Sequence, residues 1–329
     1  MFNGKTILIT GGTGSFGKRF AEHLLKEYKP KKVIIFSRDE SRQATWRKES
    51  TDTRLRFFIG DVRELPRLKR AFNGVDIVVH AAALKHVPLL EYNPFEAVKT
   101  NVLGSQNVVD AAIDCNVEKA LFISTDKAAQ PVNLYGATKL CAEKLFVDGN
   151  AYAGEGKTKF ACVRYGNVLG SSGSVVEMLV REGKKLKKVP LTHPDMTRFW
   201  ITFPQSFELV TFALKNMQGG EIFIPRLPSM KIADMFDALA PNAKQEVIGI
   251  RPGEKIHEML LPEDDARQAL DLGGYFVILP VFENEEKKSH KAYYAKGKPL
   301  SAGFRYTSDE NDEWITKKDL LKAVKSLKL

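Results

Sequence analysis

The sequence predicts an α/β fold with a doubly wound parallel sheet, and three observations carry that prediction. Near its start, the apolar run Thr6-Ile7-Leu8-Ile9 leads through Thr10-Gly11-Gly12-Thr13-Gly14-Ser15-Phe16-Gly17 into an amphipathic helix reaching about Tyr28. Apolar runs of strand length then alternate with helical patterns as far as residue 165, as expected of strands buried on both faces. Finally, the buried run Leu121-Phe122-Ile123 ends in Ser124-Thr125-Asp126-Lys127. Open α/β sheets hold their ligands at such carboxyl-terminal strand ends.

Taken in order, the first turn supplies the phosphate site. Gly11, Gly14 and Gly17 permit a tight turn, close approach of backbone to a pyrophosphate and close packing of helix on strand, with Thr13, Ser15 and Phe16 completing the loop. In this strand-turn-helix setting the triplet reads as a Rossmann dinucleotide site. The second strand, 32–36, ends in Ser37-Arg38-Asp39-Glu40. A serine and an arginine there suit the 2′-phosphate of NADP, and Arg42 adds a second contact. Asp39 leaves NAD open, and the competing reading of Arg38 is a surface cation. A third strand ends in Asp61-Val62 and a fourth in Ala81-Ala82-Ala83, whose small side chains let the cofactor lie close; Lys85 and His86 follow at the same edge.

Tyr135 and Lys139 are spaced to share one face of a helix. A nearby cation favours phenolate, so the pair is a candidate base with its helper. The helix runs to about residue 150, and a strand over 160–165 delivers Asn167 and Val168 to the sheet edge. Residues 1–165 are thus expected to form the cofactor domain and 166–329 mainly a smaller, interleaved substrate lobe, with a helix at about 204–217 returning to the larger domain. In that lobe Arg198 and Arg251 offer planar forks for a diphosphate. Ser171-Ser172-Gly173-Ser174 opens a helix, either as an anion site or as a plain cap.

Composition narrows the chemistry. The net charge of +10 is scattered and no nucleic-acid motif accompanies it, so a small phosphate-bearing substrate fits better than a nucleic acid. Three cysteines, Cys115, Cys141 and Cys162, without a Cys-x-x-Cys spacing argue against a disulfide framework and a metal site, and read as core filler. No apolar run approaches the roughly 20 residues of a membrane span, and the first strand starts too early for a signal peptide; the expected compartment is the cytoplasm.

The glycine loop, the Tyr135-x-x-x-Lys139 pair and Ser124-Thr125 resemble the extended short-chain dehydrogenase/reductases acting on nucleotide sugars. Lys85-His86-Val87-Pro88, Ser124-Thr125-Asp126-Lys127-Ala128, Arg164-Tyr165-Gly166-Asn167-Val168, Met196-Thr197-Arg198-Phe199-Trp200 and Arg251-Pro252-Gly253-Glu254-Lys255 extend the likeness over the whole chain. Together they resemble the inverting UDP-N-acetylglucosamine 4,6-dehydratases of pseudaminic acid synthesis, whose retaining relatives carry Asp-Glu where this chain has Asp126-Lys127. The resemblance implies NADP as cofactor and UDP-N-acetylglucosamine as substrate. It makes Asp126 the acid and Lys127 the base, with Thr125 orienting the 4-hydroxyl, Lys85 and Asn167 positioning substrate, and Arg198 and Arg251 binding it. A basic Lys127 requires a lowered pKa, expected from burial beside Lys139 and the nicotinamide charge. A homo-oligomer, hexamer or dimer, and a role in flagellin glycosylation are further implications. A nucleotide-sugar 4-epimerase and a non-catalytic NADP-binding regulator are the competing readings on the same fold.

Overall fold

The computed structural model describes residues 1–154, 156, 158–280 and 290–327, so part of the expected carboxyl-terminal lobe, 281–289 and 328–329, lies outside the described residues. Six strands open the chain: β1 (Thr6–Thr10), β2 (Lys32–Ser37), β3 (Leu55–Ile59), β4 (Ile77–His80), β5 (Lys119–Ile123) and β6 (Lys159–Val163). Every residue of β1 and β4 is buried. That is why these strands read as unbroken apolar runs rather than alternating ones. In the main sheet β3, β2, β1, β4, β5 and β6 lie side by side in that order, all parallel, with Ile7 paired to Val33 on one side and Ile77 on the other. The order of winding reverses between β1 and β4, and a crevice opens at the strand ends there.

The rest of the chain adds β7 (Asn167–Val168), β8 (Lys188–Leu191), β9 (Thr197–Ile201), β10 (Ile222–Pro225), β11 (Ser229–Lys231), β12 (Lys244–Val247), β13 (Met259–Leu261), β14 (Ala269–Asp271), β15 (Tyr275–Ile278), β16 (Lys298–Pro299) and β17 (Tyr306–Thr307). β10 joins the main sheet parallel to β6, and β15, β14 and β16 continue it antiparallel, giving ten strands. Three small sheets, β11-β9-β7, β12-β8 and β13-β17, build the second lobe. The helix Phe203–Asn216 carries a capping box at Thr202 and packs against β5, β6 and the helix Ser15–Glu27. Its Phe207 belongs to the main core, whereas Leu179, Trp200, Met235 and Leu320 form a separate core in the lobe.

Two details position the site. Between β4 and β5 the chain runs through a succession of Pro94–Ala97, a π-helical segment Val98–Leu103, then Gly104–Asp114. The wider turn turns Asn101 inward, where its amide bonds both the N–H and the C=O of Leu84 and the Thr138 hydroxyl. The second detail is Arg164, buried next to β6. Its fork takes both oxygens of Glu143 at 3.0 and 2.7 Å, while Nη1 donates to Asp265 at 2.9 Å and to the Leu260 carbonyl at 3.1 Å. The pair links the helix Leu134–Tyr152 to the segment that follows β13.

Candidate active site

A cleft of about 750 Å³ opens at the β1/β4 reversal, between the two lobes. Gly11, Gly14, Ser15, Phe16, Gly17, Arg42, Ala81 and Val168 line it, together with Lys85, Thr125, Lys127, Tyr135, Lys139 and Asn167. A recess of about 290 Å³ shares Gly11, Gly14, Arg42 and Ala81 with it and adds Thr13, Ser37, Arg38, Asp61 and Val62. The glycine loop fits a dinucleotide: Gly11 has φ +64°, and a Cβ on it would come within 2.8 Å of the Ala82 backbone. Only a bare backbone closes so tightly there.

The strand-end acid of β2 is committed locally. Asp39 caps the helix Glu40–Glu49, accepting from the Arg42 N–H at 2.9 Å and lying 3.2 Å from its guanidinium. Arg38 instead reaches Asp61 at 3.5 Å. Burial would raise the Asp61 pKa, but Arg63 and Arg38 overcome it and hold the carboxylate below its ordinary range.

At the other end, Asn133 caps the helix Leu134–Tyr152 by accepting from the Gly136 N–H at 2.7 Å. This presents Tyr135 to the cleft beside the short 3-10 turn Asp126–Ala128. Gly136 permits the contact, because a Cβ on it would meet the Lys127 carbonyl at 2.1 Å. Lys139 turns inward, donating to the Ile123 carbonyl at 2.6 Å and lying 3.9 Å over the Phe122 ring. Burial lowers its pKa to about 7 against the pull of Glu143. Burial raises the Tyr135 pKa, and the charge that offsets it is Lys127.

Lys127 overturns a second expectation. Its pKa is expected to fall, and burial does press it down, but Asp126 at 2.9 Å and Glu258 at 3.4 Å outweigh burial and hold it above its ordinary value. In the resting site it is an ammonium. Asp126 is fully buried behind the cleft lining, accepts from Thr125 at 2.9 Å through Oδ1, and leaves Oδ2 with no partner. Burial and Glu258 raise its pKa, which favours a retained proton.

Several expected substrate groups lie elsewhere. Arg198 is buried, donating to the carbonyls of Thr197, Ile256 and Lys255, so its fork faces the lobe's own backbone instead of the cleft. Arg251 is exposed in a loop tied to the site by the Asn133 amide, which donates to the Gly253 carbonyl at 2.7 Å. The serine run is a cap: Ser174 accepts from the Glu177 N–H, and the amides of Ser172 and Gly173 are taken by Ser15 and Glu177. Lys85 donates to the Ser172 carbonyl at 2.9 Å across the cleft mouth. Cys141 is exposed and Cys115 half-buried, so Cys162 alone fills core; no group of metal-ligating side chains exists among the described residues. Sequence reasoning assigned Glu258 and Trp200 no site role and Ser124 only its place at the strand end; Ser124 and Trp200 line the cleft with Oγ and Nε1 buried and unpartnered. An acid in a lobe connection gives no local signal, whereas Ser124 sits inside the motif.

A parallel sheet of this order, a glycine-turn cofactor cradle and a Tyr-Lys helix beside the fifth strand define an extended short-chain dehydrogenase/reductase. Within that class the chain belongs to the polysaccharide biosynthesis protein family, whose profile matches residues 7–280. It is 49% identical to the UDP-N-acetylglucosamine 4,6-dehydratase (inverting) of Campylobacter jejuni, over 98% of this chain and 97% of that one. It is 42% identical to the UDP-glucose 4-epimerase of Rickettsia akari over 84% of each. Among solved structures it resembles Pen from Bacillus thuringiensis, with a TM-score of 0.88, 40% identity and 98% of both chains covered.

Proposed function

We propose that the protein is a UDP-N-acetylglucosamine 4,6-dehydratase that inverts carbon 5, giving UDP-2-acetamido-2,6-dideoxy-β-L-arabino-hexos-4-ulose. The observation that carries this reading is the buried acid Asp126 paired at 2.9 Å with Lys127, beside Tyr135: a second acid and an amine are more than an oxidation at carbon 4 requires. A 4-epimerase, the activity of the Rickettsia relative, needs no elimination. An intact Tyr135 and Lys139 in the cleft weigh against a non-catalytic regulator.

Gly11, Gly14 and Gly17 would cradle the cofactor pyrophosphate, with Ser37, Arg38 and Arg42 at its ribose. NADP is favoured because Asp39 is occupied by Arg42 and its helix, leaving the cations at that end. Bound there, the nicotinamide supplies a hydride acceptor at carbon 4 and a donor at carbon 6 of the sugar. Tyr135 takes the 4-hydroxyl proton, with Thr125 next to it and Lys127 as the cation that favours phenolate. The resulting ketone acidifies the hydrogen at carbon 5. Lys127, its resting proton having passed to bulk water, removes that hydrogen; Asp126 gives its proton to the departing 6-hydroxyl, which leaves as water, and carbon 5 regains a proton on the opposite face by relay from Lys127 through Tyr135. Lys85 and Asn167 flank the sugar, with Ser124 and Trp200 as additional polar contacts and Arg251 on the loop above; Arg198 supports this wall from behind.

Among the described residues no helix is long and apolar enough to cross a membrane. The family resemblance supports a cytoplasmic homo-oligomer that supplies pseudaminic acid for flagellin, and exposed Leu89, Tyr92 and Phe95 suit a subunit contact. The deciding experiment incubates protein, NADP and UDP-N-acetylglucosamine in deuterated water and follows product by mass and proton NMR. A product lighter by one water, deuterated at carbon 5 with L-arabino ring couplings, is expected. An isomer of unchanged mass would make it an epimerase, and a D-xylo product would remove the inversion.

A further inference from the structure

We propose that Glu258 is a positioning residue of this reaction: it completes a three-acceptor cage that holds Lys127 as an ammonium and sets the pH at which that lysine becomes a base. The inference rests on the dehydratase reading. An ammonium has three N–H donors and no acceptor. Three oxygens surround Lys127 Nζ, namely Asp126 Oδ1 at 2.9 Å, Asn167 Oδ1 at 3.3 Å and Glu258 Oε1 at 3.4 Å. Asp126 and Asn167 accept its hydrogen bonds, and Glu258 adds an ion-pair contact. A neutral amine would instead direct its lone pair at an oxygen, so the cage selects the protonated form.

Glu258 is built into this place from the opposite lobe. It stands just before β13, only 3% exposed, and its N–H donates to Ser308 Oγ at 2.9 Å while its carbonyl accepts from the Ser308 N–H at 2.8 Å. Ser308 Oγ in turn lies 2.6 Å from Thr197 Oγ1. A purely structural carboxylate would be expected to serve Arg198, but that guanidinium is 3.5 Å away and already donates to three carbonyls. Glu258 Oε2 has no partner at all. A buried carboxylate oxygen left without a hydrogen bond is unfavourable, which argues that the charge is kept for the lysine.

The groups facing Lys127 from each packed element are Asp126 on its own turn, Tyr135 from the helix Leu134–Tyr152, Asn167 from β7, Arg198 from β9, and Lys255 and Glu258 from the segment entering β13. Two of them are acids. Burial favours a proton on Asp126, whereas Lys127, Arg198 and Lys255 overcome burial and keep Glu258 ionised. Glu258 is then the standing charge that opposes release of the Lys127 proton.

The test is the pH profile of kcat for dehydration in Glu258→Gln and Glu258→Asp. Rate limited by the Lys127 amine rises with pH through the lysine's pKa, and removing the opposing charge lowers that pKa. In Glu258→Gln the rising limb should therefore move to lower pH by about 1–3 units, the range for loss of one close opposite charge. Glu258→Asp, which keeps the charge, should leave the limb near its wild-type position. An unshifted limb in a Glu258→Gln protein that binds NADP as tightly as wild type would overturn the proposal. Should that variant not fold, NMR of side-chain ¹⁵N-lysine in the wild-type protein, assigned with Lys127→Arg, gives the answer: Lys127 should remain an ammonium in mildly alkaline buffer, and a neutral amine there would overturn it. Failure of the wild-type protein to release any dehydrated sugar would instead defeat the dehydratase reading, a separate outcome.

Discussion

The two ends of the cleft are made in different ways. At the ribose end most contacts are local: Gly14 donates its N–H to the Gly11 carbonyl, Asp39 caps the turn holding Arg42, and Arg63 folds back on Asp61 at 2.7 Å, with Arg38 reaching the same Asp61 from the neighbouring strand end. At the reacting end the partners come from distant segments: Lys127 meets Asn167 and Glu258, and Asn133 holds the loop at Gly253. Local construction gives a site that any chain with the motif can form. Long-range construction makes charge states depend on how the second lobe closes on the first.

The sharpest test of this contrast is at the reacting end. Tyr135→Phe keeps the ring and removes only the hydroxyl, so substrate should still bind while kcat falls by about 100- to 10,000-fold, the usual loss of a general base. Calorimetry paired with steady-state rates distinguishes this from misfolding, and near-normal turnover would move the base elsewhere. Next in size is Gly136→Ala. A helix normally gains from alanine, but here the Cβ would sit 2.1 Å from the Lys127 carbonyl. Displacing that turn should cost about 3 kcal/mol in thermal unfolding, as overpacking does, and lower kcat as well. A stabilised variant would mean that the turn moves freely.

The ribose end should respond more mildly and without effect on chemistry. Arg38→Ala should narrow the preference for NADP over NAD by roughly 1–3 kcal/mol, the range for a charge-assisted contact, while the rate with saturating cofactor is kept. Equal affinities in the unmutated protein would refute the assignment. The smallest effect is a slope. Lys139 has a folded pKa of about 7 against an ordinary 10.5, so the unfolded chain binds more protons across that interval and stability rises with pH through it. Lys139→Met should flatten that rise, most visibly in denaturant midpoints, with its stabilising effect largest below pH 7. An unchanged slope would place the lysine's cost elsewhere.

Legibility followed the same division. β1, the glycine loop and the Tyr135 helix were readable because apolar runs, turn glycines and a one-turn spacing are local signals with local causes. The family resemblance extended them to Asp126 and Lys127. What the residues could not convey was charge state. Lys127 was expected to be pressed toward neutrality, and it is held charged because Asp126 beside it is joined by Glu258, from a segment far downstream just before β13. Arg198 misled for a related reason: a planar fork suits a diphosphate or three backbone carbonyls equally well, and only the packing of β9 against residues 255–256 decides.

The buried Arg164 has a consequence for recombination between relatives. Its guanidinium joins Glu143, on the helix that carries Tyr135, to Asp265 and Leu260, on the segment that carries Glu258. Removing either member of the buried Glu143–Arg164 pair leaves a charge stranded in the core, at a cost of about 3–5 kcal/mol. Glu143 and Arg164 lie in the same lobe, so a hybrid that replaced the segment carrying Asp265 would keep the buried pair and lose only the bond to the half-exposed Asp265 at its edge.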